Sequence, residues 1–102
     1  MTINGKEINF EYTIGAYCEF MDFCAEHPDV SLARASVVKA VAMNKAYVGL
    51  HGGDTITIDE IMLLPQTDFM ALLDAIKAAE DTGAKRSVET KDVKKKDNRK
   101  LS

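Results

Sequence analysis

Apolar and polar positions alternate with period two at the start of the chain and then recur at the three-to-four spacing of amphipathic helices. Ile3-Asn4-Gly5-Lys6 opens the pattern, and Asn-Gly favours the two left-handed positions of a tight hairpin turn. Ile8, Phe10 and Tyr12 then fall on one side of the segment Glu7 to Tyr12, as in a half-buried strand. A short N-terminal β-hairpin is expected.

Thr13 can cap a first helix in which Ile14, Tyr17, Cys18, Met21, Cys24 and Ala25 recur at i, i+3, i+4, i+7 spacing until His27-Pro28 stops it. Phe20 and Phe23 widen its apolar arc to about 220° at about 100° per residue, leaving Glu19, Asp22 and Glu26 on a narrow polar strip. Such an arc exceeds what a surface helix needs to cover one core. A second helix, from the capping Ser31 to Tyr47, is rich in Ala and Val, with Arg34, Lys39, Asn44 and Lys45 spread around its circumference. That distribution predicts a central or sandwiched helix. Gly49, Gly52 and Gly53 are expected to end it in a loop. Thr57-Ile58-Asp59-Glu60 fits a capping box for a short helix through Leu64, broken by Pro65. The last helix starts at Thr67 and Asp68, carries the stripe Phe69, Leu72, Leu73, Ile76, and meets a stop signal at Thr82-Gly83.

The fold class expected is therefore mostly α, formally α+β: an N-terminal hairpin followed by a compact bundle of about four helices. With 102 residues, 46% hydrophobic and 28% charged, the chain has the size of one small domain. The net charge of −3 hides a division. Residues 1–83 carry five Lys/Arg and 13 Asp/Glu, net −8, whereas residues 84–102 carry eight basic and three acidic residues, net +5. Past Ala84 the only large aliphatic residues are Val88, Val93 and Leu101, too few to offset the entropy of ordering that stretch. A domain over 1–83 and a disordered basic tail over 84–102 are expected.

No uncharged run approaches the roughly 20 apolar residues of a membrane span, and the start of the chain lacks a signal-peptide pattern. These features predict a soluble, intracellular protein without membrane partners. Its two cysteines make no disulfide framework and read as buried, inert thiols.

Candidate chemistry is sparse. Cys18, Cys24, His27 and His51 are the residues resembling soft-metal ligands, but they do not form the two close pairs that structural zinc takes. A Cys24 nucleophile with His51 would need an orienting carboxylate and an oxyanion loop, and neither stands nearby in sequence. Gly49-Leu50-His51-Gly52-Gly53 lacks the Lys-Ser/Thr of a phosphate loop, and Asp54, Asp59 and Glu60 lack the order of a calcium loop. The run Lys94-Lys95-Lys96 to Arg99-Lys100 has no aromatic residue for base stacking and follows an acidic body, which argues against nucleic acid. No catalytic, cofactor or metal residues are assigned, and the chain does not read as an enzyme.

What remains is apolar surface. Tyr17, Phe20, Met21, Phe23, Met43, Tyr47, Met62, Phe69 and Met70 lie on helices whose combined apolar arcs exceed what about 83 residues can enclose. Part of the set serves the core, and Tyr17, Phe20, Met21, Phe23 and Tyr47 are the candidates for contact with a partner. Flexible Met side chains suit surfaces that accept helices of varied sequence. The small core and the surplus apolar surface together predict a homo-oligomer.

Two segments carry a resemblance: Thr2-Ile3-Asn4-Gly5-Lys6-Glu7-Ile8-Asn9-Phe10 with Tyr12 to Gly15-Ala16 behind it, and Thr57-Ile58-Asp59-Glu60-Ile61 to Asp68-Phe69-Met70-Ala71-Leu72-Leu73-Asp74-Ala75-Ile76. With similar helix lengths, this order of features resembles the tail assembly chaperones of long-tailed bacteriophages over most of 1–80. The resemblance implies a small helical, non-catalytic protein of the bacterial host cytoplasm. It would bind the long, aggregation-prone tape-measure protein before the tail tube polymerises and be absent from the finished virion. It also implies a longer frameshifted product whose extra domain recruits the tail tube protein. The rival class is a small phage or prophage regulatory or adaptor protein that binds one folded partner.

Overall fold

The two left-handed residues Asn4 and Gly5, at φ 53° and 77°, turn the chain back on itself so that β1 (Thr2–Ile3) pairs antiparallel with β2 (Lys6–Glu7), Thr2 opposite Glu7 and Ile3 opposite Lys6. The computed structural model describes the backbone of residues 1–99 and the side chains of residues 1–82. After the hairpin come α1 (Ile14–Glu26), α2 (Leu32–His51), α3 (Ile58–Met62) and α4 (Gln66–Arg99). The architecture is the expected one, mostly helical with a two-stranded hairpin and four helices.

Local chemistry sets most of the boundaries. The Thr13 hydroxyl accepts the Ala16 N–H at 3.1 Å and the Ser31 hydroxyl accepts that of Arg34 at 3.1 Å, capping α1 and α2. Thr57 and Glu60 form a reciprocal capping box at the start of α3. The Pro65 carbonyl accepts the N–H groups of Asp68 and Phe69, each at 3.0 Å, so the proline that breaks α3 also seeds α4.

α2 is the central element: α1, α3 and α4 each pack on it. Its Val37, Ala40, Ala42 and Met43 are buried with Ile3 and Ile8 of the N-terminal segment, Ile56 and Ile61 around α3, and Leu72 and Ile76 of α4. Phe69 and Leu73 pack at the edge of this cluster, so the expected α4 stripe faces the core.

The structure departs from the sequence pattern at several boundaries. Glu7 to Tyr12 is not a strand, since the ladder ends at Glu7. Ile8, Phe10 and Tyr12 still point inward, but the segment lies along α2, where the Glu11 N–H donates to the Met43 carbonyl at 3.0 Å. Instead of ending near Tyr47, α2 continues to His51, because a helix accommodates Gly49 at a cost of about 1 kcal/mol. The stop comes at Gly52, whose φ of 80° few other residues adopt and whose N–H closes on the Val48 carbonyl at 2.8 Å. Likewise α3 ends at Met62 rather than Leu64. Thr82-Gly83 does not end α4, which runs on through a segment rich in the helix formers Lys, Arg and Glu and free of proline. The expected disordered tail over 84–102, and the domain boundary before it, fall outside the residues whose side chains are described.

Candidate protein-binding surface

α1 buries only Ala16 fully, and its apolar arc divides between two sides. At about 100° per residue Ala16, Phe20 and Phe23 turn toward α2, whereas Ile14, Tyr17 and Met21 fall on the opposite side within about 60° of one another. The latter three are 77%, 45% and 45% exposed. They form an outward apolar stripe at i, i+3, i+7 that remains substantially exposed.

The five candidate contact residues therefore separate. Tyr17 and Met21 share the outward stripe, and Tyr17 is held by an edge-on contact with Tyr12, ring centroids 6.3 Å apart. Phe20 is half-buried beneath Lys39 of α2, whose Nζ lies 4.7 Å from the ring centroid and is bonded to Glu80 of α4 at 2.9 Å. This group ties α1, α2 and α4 together. Partial burial and the Glu80 charge push the Tyr12 phenol above its ordinary pKa. Phe23 is half-buried with its ring 4.5 Å from that of His27. Tyr47 stands on α2, half-buried, 4.6 Å from the His51 ring, and His51 in turn reaches Glu11 at 3.5 Å.

Of the wider apolar set, Met43 is wholly core and Phe69 is half-buried against it. Met62 and Met70 are 52% and 53% exposed, and Leu63, absent from the expected set, is 85% exposed. Met62 lines an open concavity of about 410 Å³ between the start of α2, α3 and the start of α4, together with Val37, Ile61, Leu64 and Phe69. The run Met62-Leu63-Leu64-Pro65 carried the signal for it: a helix that breaks inside an apolar run must leave part of that run uncovered.

The thiols differ from expectation. Cys18 is exposed and Cys24 half-buried, because α1 meets α2 through the Ala16 side. Cys24 and His51 are not brought together. Cys24 stands in the last turn of α1, close to the connection into α2, whereas His51 ends α2 about 30 Å further along. Among the described residues no group of three or more His, Cys, Asp or Glu is arranged to hold a metal ion, and no helix is long and apolar enough to cross a membrane.

A polar counterpart fastens the hairpin to α3. Lys6 Nζ pairs with Glu60 at 2.9 Å and donates to the Thr55 carbonyl at 3.0 Å, while Asn4 Nδ2 donates to Glu60 at 3.3 Å. Lys6, the Thr57 N–H and Asn4 together hold the Glu60 carboxyl down at a pKa of about 2. The chemistry of this cluster is structural, since each donor and acceptor in it is used in joining two elements. No protein-family model matches the chain, and neither a curated protein nor a solved structure matches it.

Proposed function

We propose that the protein is a non-catalytic tail assembly chaperone of a long-tailed bacteriophage, which binds the helical tape-measure protein in the host cytoplasm and keeps it soluble until the tube forms. The observation that carries this reading is the outward stripe of Ile14, Tyr17 and Met21 on α1. A helix that turns half its apolar arc away from its own core offers a seam for an apolar stripe on another helix. The resemblance of the hairpin and of the α3–α4 segments supplies the identity of that helix. A longer frameshifted form, in the same reading, would bring the tail tube protein to the complex.

Co-expression with a tape-measure fragment tests it. The wild-type chain should keep the fragment in the soluble fraction. Tyr17→Asp with Met21→Asp should abolish that effect and leave the helical signal unchanged, since both side chains are half outside the fold already. Equal solubilisation by the double variant would remove the stripe from the client site. A single fixed complex with one folded host protein, and none with the fragment, would favour the adaptor reading instead.

A further inference from the structure

The outward face of α1 has two unlike edges. At about 100° per residue Ile14, Cys18, Met21 and Ala25 form its centre line, all four exposed and turned away from the Ala16 side that meets α2. Tyr17 runs along one edge, steadied by Tyr12. Asp22 and Glu26 run along the other, with Glu19 just beyond them, so the carboxylates of α1 share one edge and the helix contains no Lys or Arg. Lys45 of α2 pairs with Glu19 at 3.4 Å. Asp22 and Glu26 have no ion-pair or hydrogen-bond partner among the described residues. Lys6 and Lys39 are committed to Glu60 and Glu80, and Arg34 lines the same hollow as Glu26 without pairing with it. The edge is left uncompensated by the body to which it belongs.

We propose that this face selects a helix of another protein by charge: one with large apolar residues at heptad spacing and a row of Lys or Arg along the edge that meets Asp22 and Glu26. The centre line alternates the large Ile14 and Met21 with the small Cys18 and Ala25 every three or four residues, the spacing at which side chains of a second helix enter the gaps of the first. From Ile14 to Ala25 it is about 18 Å long and one helix face wide, a shape that a helix covers along its length. The acidic edge decides which helix. Cations brought beside Asp22 and Glu26 gain charge-assisted contacts at the rim, whereas an acid-edged helix meets like charge. The α1 of a second copy does not meet this description, because it has no basic residue to offer. The inference rests on the client-binding reading of the stripe and adds to it the charge class of the client, with Asp22 and Glu26 as its specificity-determining residues.

Two designed peptides of about three heptads test this without any tape-measure fragment, so that solubilisation of the fragment and charge selection stand or fall separately. Both carry Leu at the a and d positions; one has Lys and the other Glu at every e and g position, so that neither pairs with itself. Titrated into the full chain and followed by fluorescence anisotropy, the Lys-edged peptide should bind about tenfold more tightly than the Glu-edged one, and raised salt should narrow the difference. Asp22→Lys with Glu26→Lys should reverse the preference. Asp54→Lys with Asp74→Lys makes the same change in net charge at exposed positions off α1 and should leave the preference as it is. Tyr17→Asp with Met21→Asp should lose the Lys-edged peptide. Equal affinity for the two peptides, binding of neither, an unchanged preference in the α1 charge reversal, or an equal reversal in the Asp54/Asp74 control would each overturn the proposal. Retention of the Lys-edged peptide by the Tyr17/Met21 variant would overturn it as well, since the peptide would then be held by the acidic body at large and not by the stripe.

Discussion

Asn44, in the middle of α2 and 1% exposed, accepts the backbone N–H of Ile56 on its Oδ1 at 2.9 Å. Its Nδ2 donates to the Asn9 carbonyl at 3.0 Å and to the Asp54 carbonyl at 3.2 Å. One side chain thus holds both extended segments, the one leaving the hairpin and the one entering α3, against the central helix. With one N–H and two carbonyls around it the amide has a single orientation that satisfies all three. Buried backbone groups outside a helix or ladder need such partners, and Asn44 satisfies three of them in these two segments.

Asn44→Leu should therefore cost more than a surface substitution of similar size. It leaves the Ile56 N–H and two carbonyls without their partner, and a loss of about 2–4 kcal/mol is expected. Asn44→Asp retains the acceptor for Ile56 but turns a buried carboxylate toward two carbonyl oxygens. Desolvation and repulsion raise the pKa of that new carboxyl in the folded state. Its destabilisation should be greatest at neutral pH and should ease as pH falls and the carboxyl gains a proton to donate. Urea unfolding at pH 7.5 and pH 4.5 checks this; equal losses for Asn44→Asp at both pH values would contradict the assignment.

The sequence made α2 legible as a central helix, but not Asn44 as its key. Helical periodicity places Asn44 on the same side as Val37, Ala40 and Met43, yet a polar residue on an apolar face is equally well read as the edge of a polar stripe. What decides is the pair of irregular segments that must find hydrogen-bond partners, and these become visible only in three dimensions. Signals contained within four residues declare themselves in the sequence: the Asn4-Gly5 turn, the Thr13 and Ser31 caps, the Thr57 capping box and the Pro65 break. Signals that depend on a competing partner do not. Gly49 cannot declare whether its φ is positive, and Cys18 cannot declare which side of α1 meets α2. The candidate surface divides in the same way, since the width of the α1 arc was plain whereas the division into Phe20 and Phe23 inward, Tyr17 and Met21 outward, follows from how α2 lies against it.

Glu60 gives the fold an acid dependence of defined sign. Its folded pKa is about 2 against an ordinary value of 4.5, so the folded state holds its proton more weakly than the unfolded chain. The stabilisation is fully present above about pH 4.5 and is lost as pH falls toward about 2. Glu60→Gln should lower the urea midpoint by a constant amount at pH 5 to 8, and the gap from wild type should close between pH 4.5 and 2. A gap that persists at pH 2 would show that the charge of Glu60 is not what Lys6 and Asn4 recognise.

Lys39 links three helices through two contacts, its ion pair with Glu80 and its position over Phe20. Both partners are partly shielded from water, which raises the contact above a surface ion pair. Lys39→Met, which keeps the aliphatic packing and removes the charge, should cost about 1–2 kcal/mol. In a double-mutant cycle with Glu80→Gln a coupling of about 0.5–1 kcal/mol is expected. Additive losses would place the stabilisation in the methylene stem of Lys39 rather than in its charge.

Gly5 carries the last prediction, because the geometry of the hairpin depends on a backbone conformation that other residues avoid. Its φ of 77° follows Asn4 at 53°, the pair of left-handed positions that matches the right-handed twist of the strands. Open space surrounds the position a Cβ would take, so Gly5→Ala meets no clash and its cost is backbone strain alone, about 1 kcal/mol. Asn4→Ala adds the loss of its bond to Glu60 at 3.3 Å and should cost at least as much. In both variants the strain also loosens Lys6, which follows the turn and bridges to Thr55 and Glu60. Amide exchange at Ile8, whose N–H donates to the Met1 carbonyl at 2.8 Å, should therefore quicken several-fold while the N–H groups in the middle of α2 stay protected. Uniform acceleration through α2 would show instead that the hairpin and the helical core unfold as one unit.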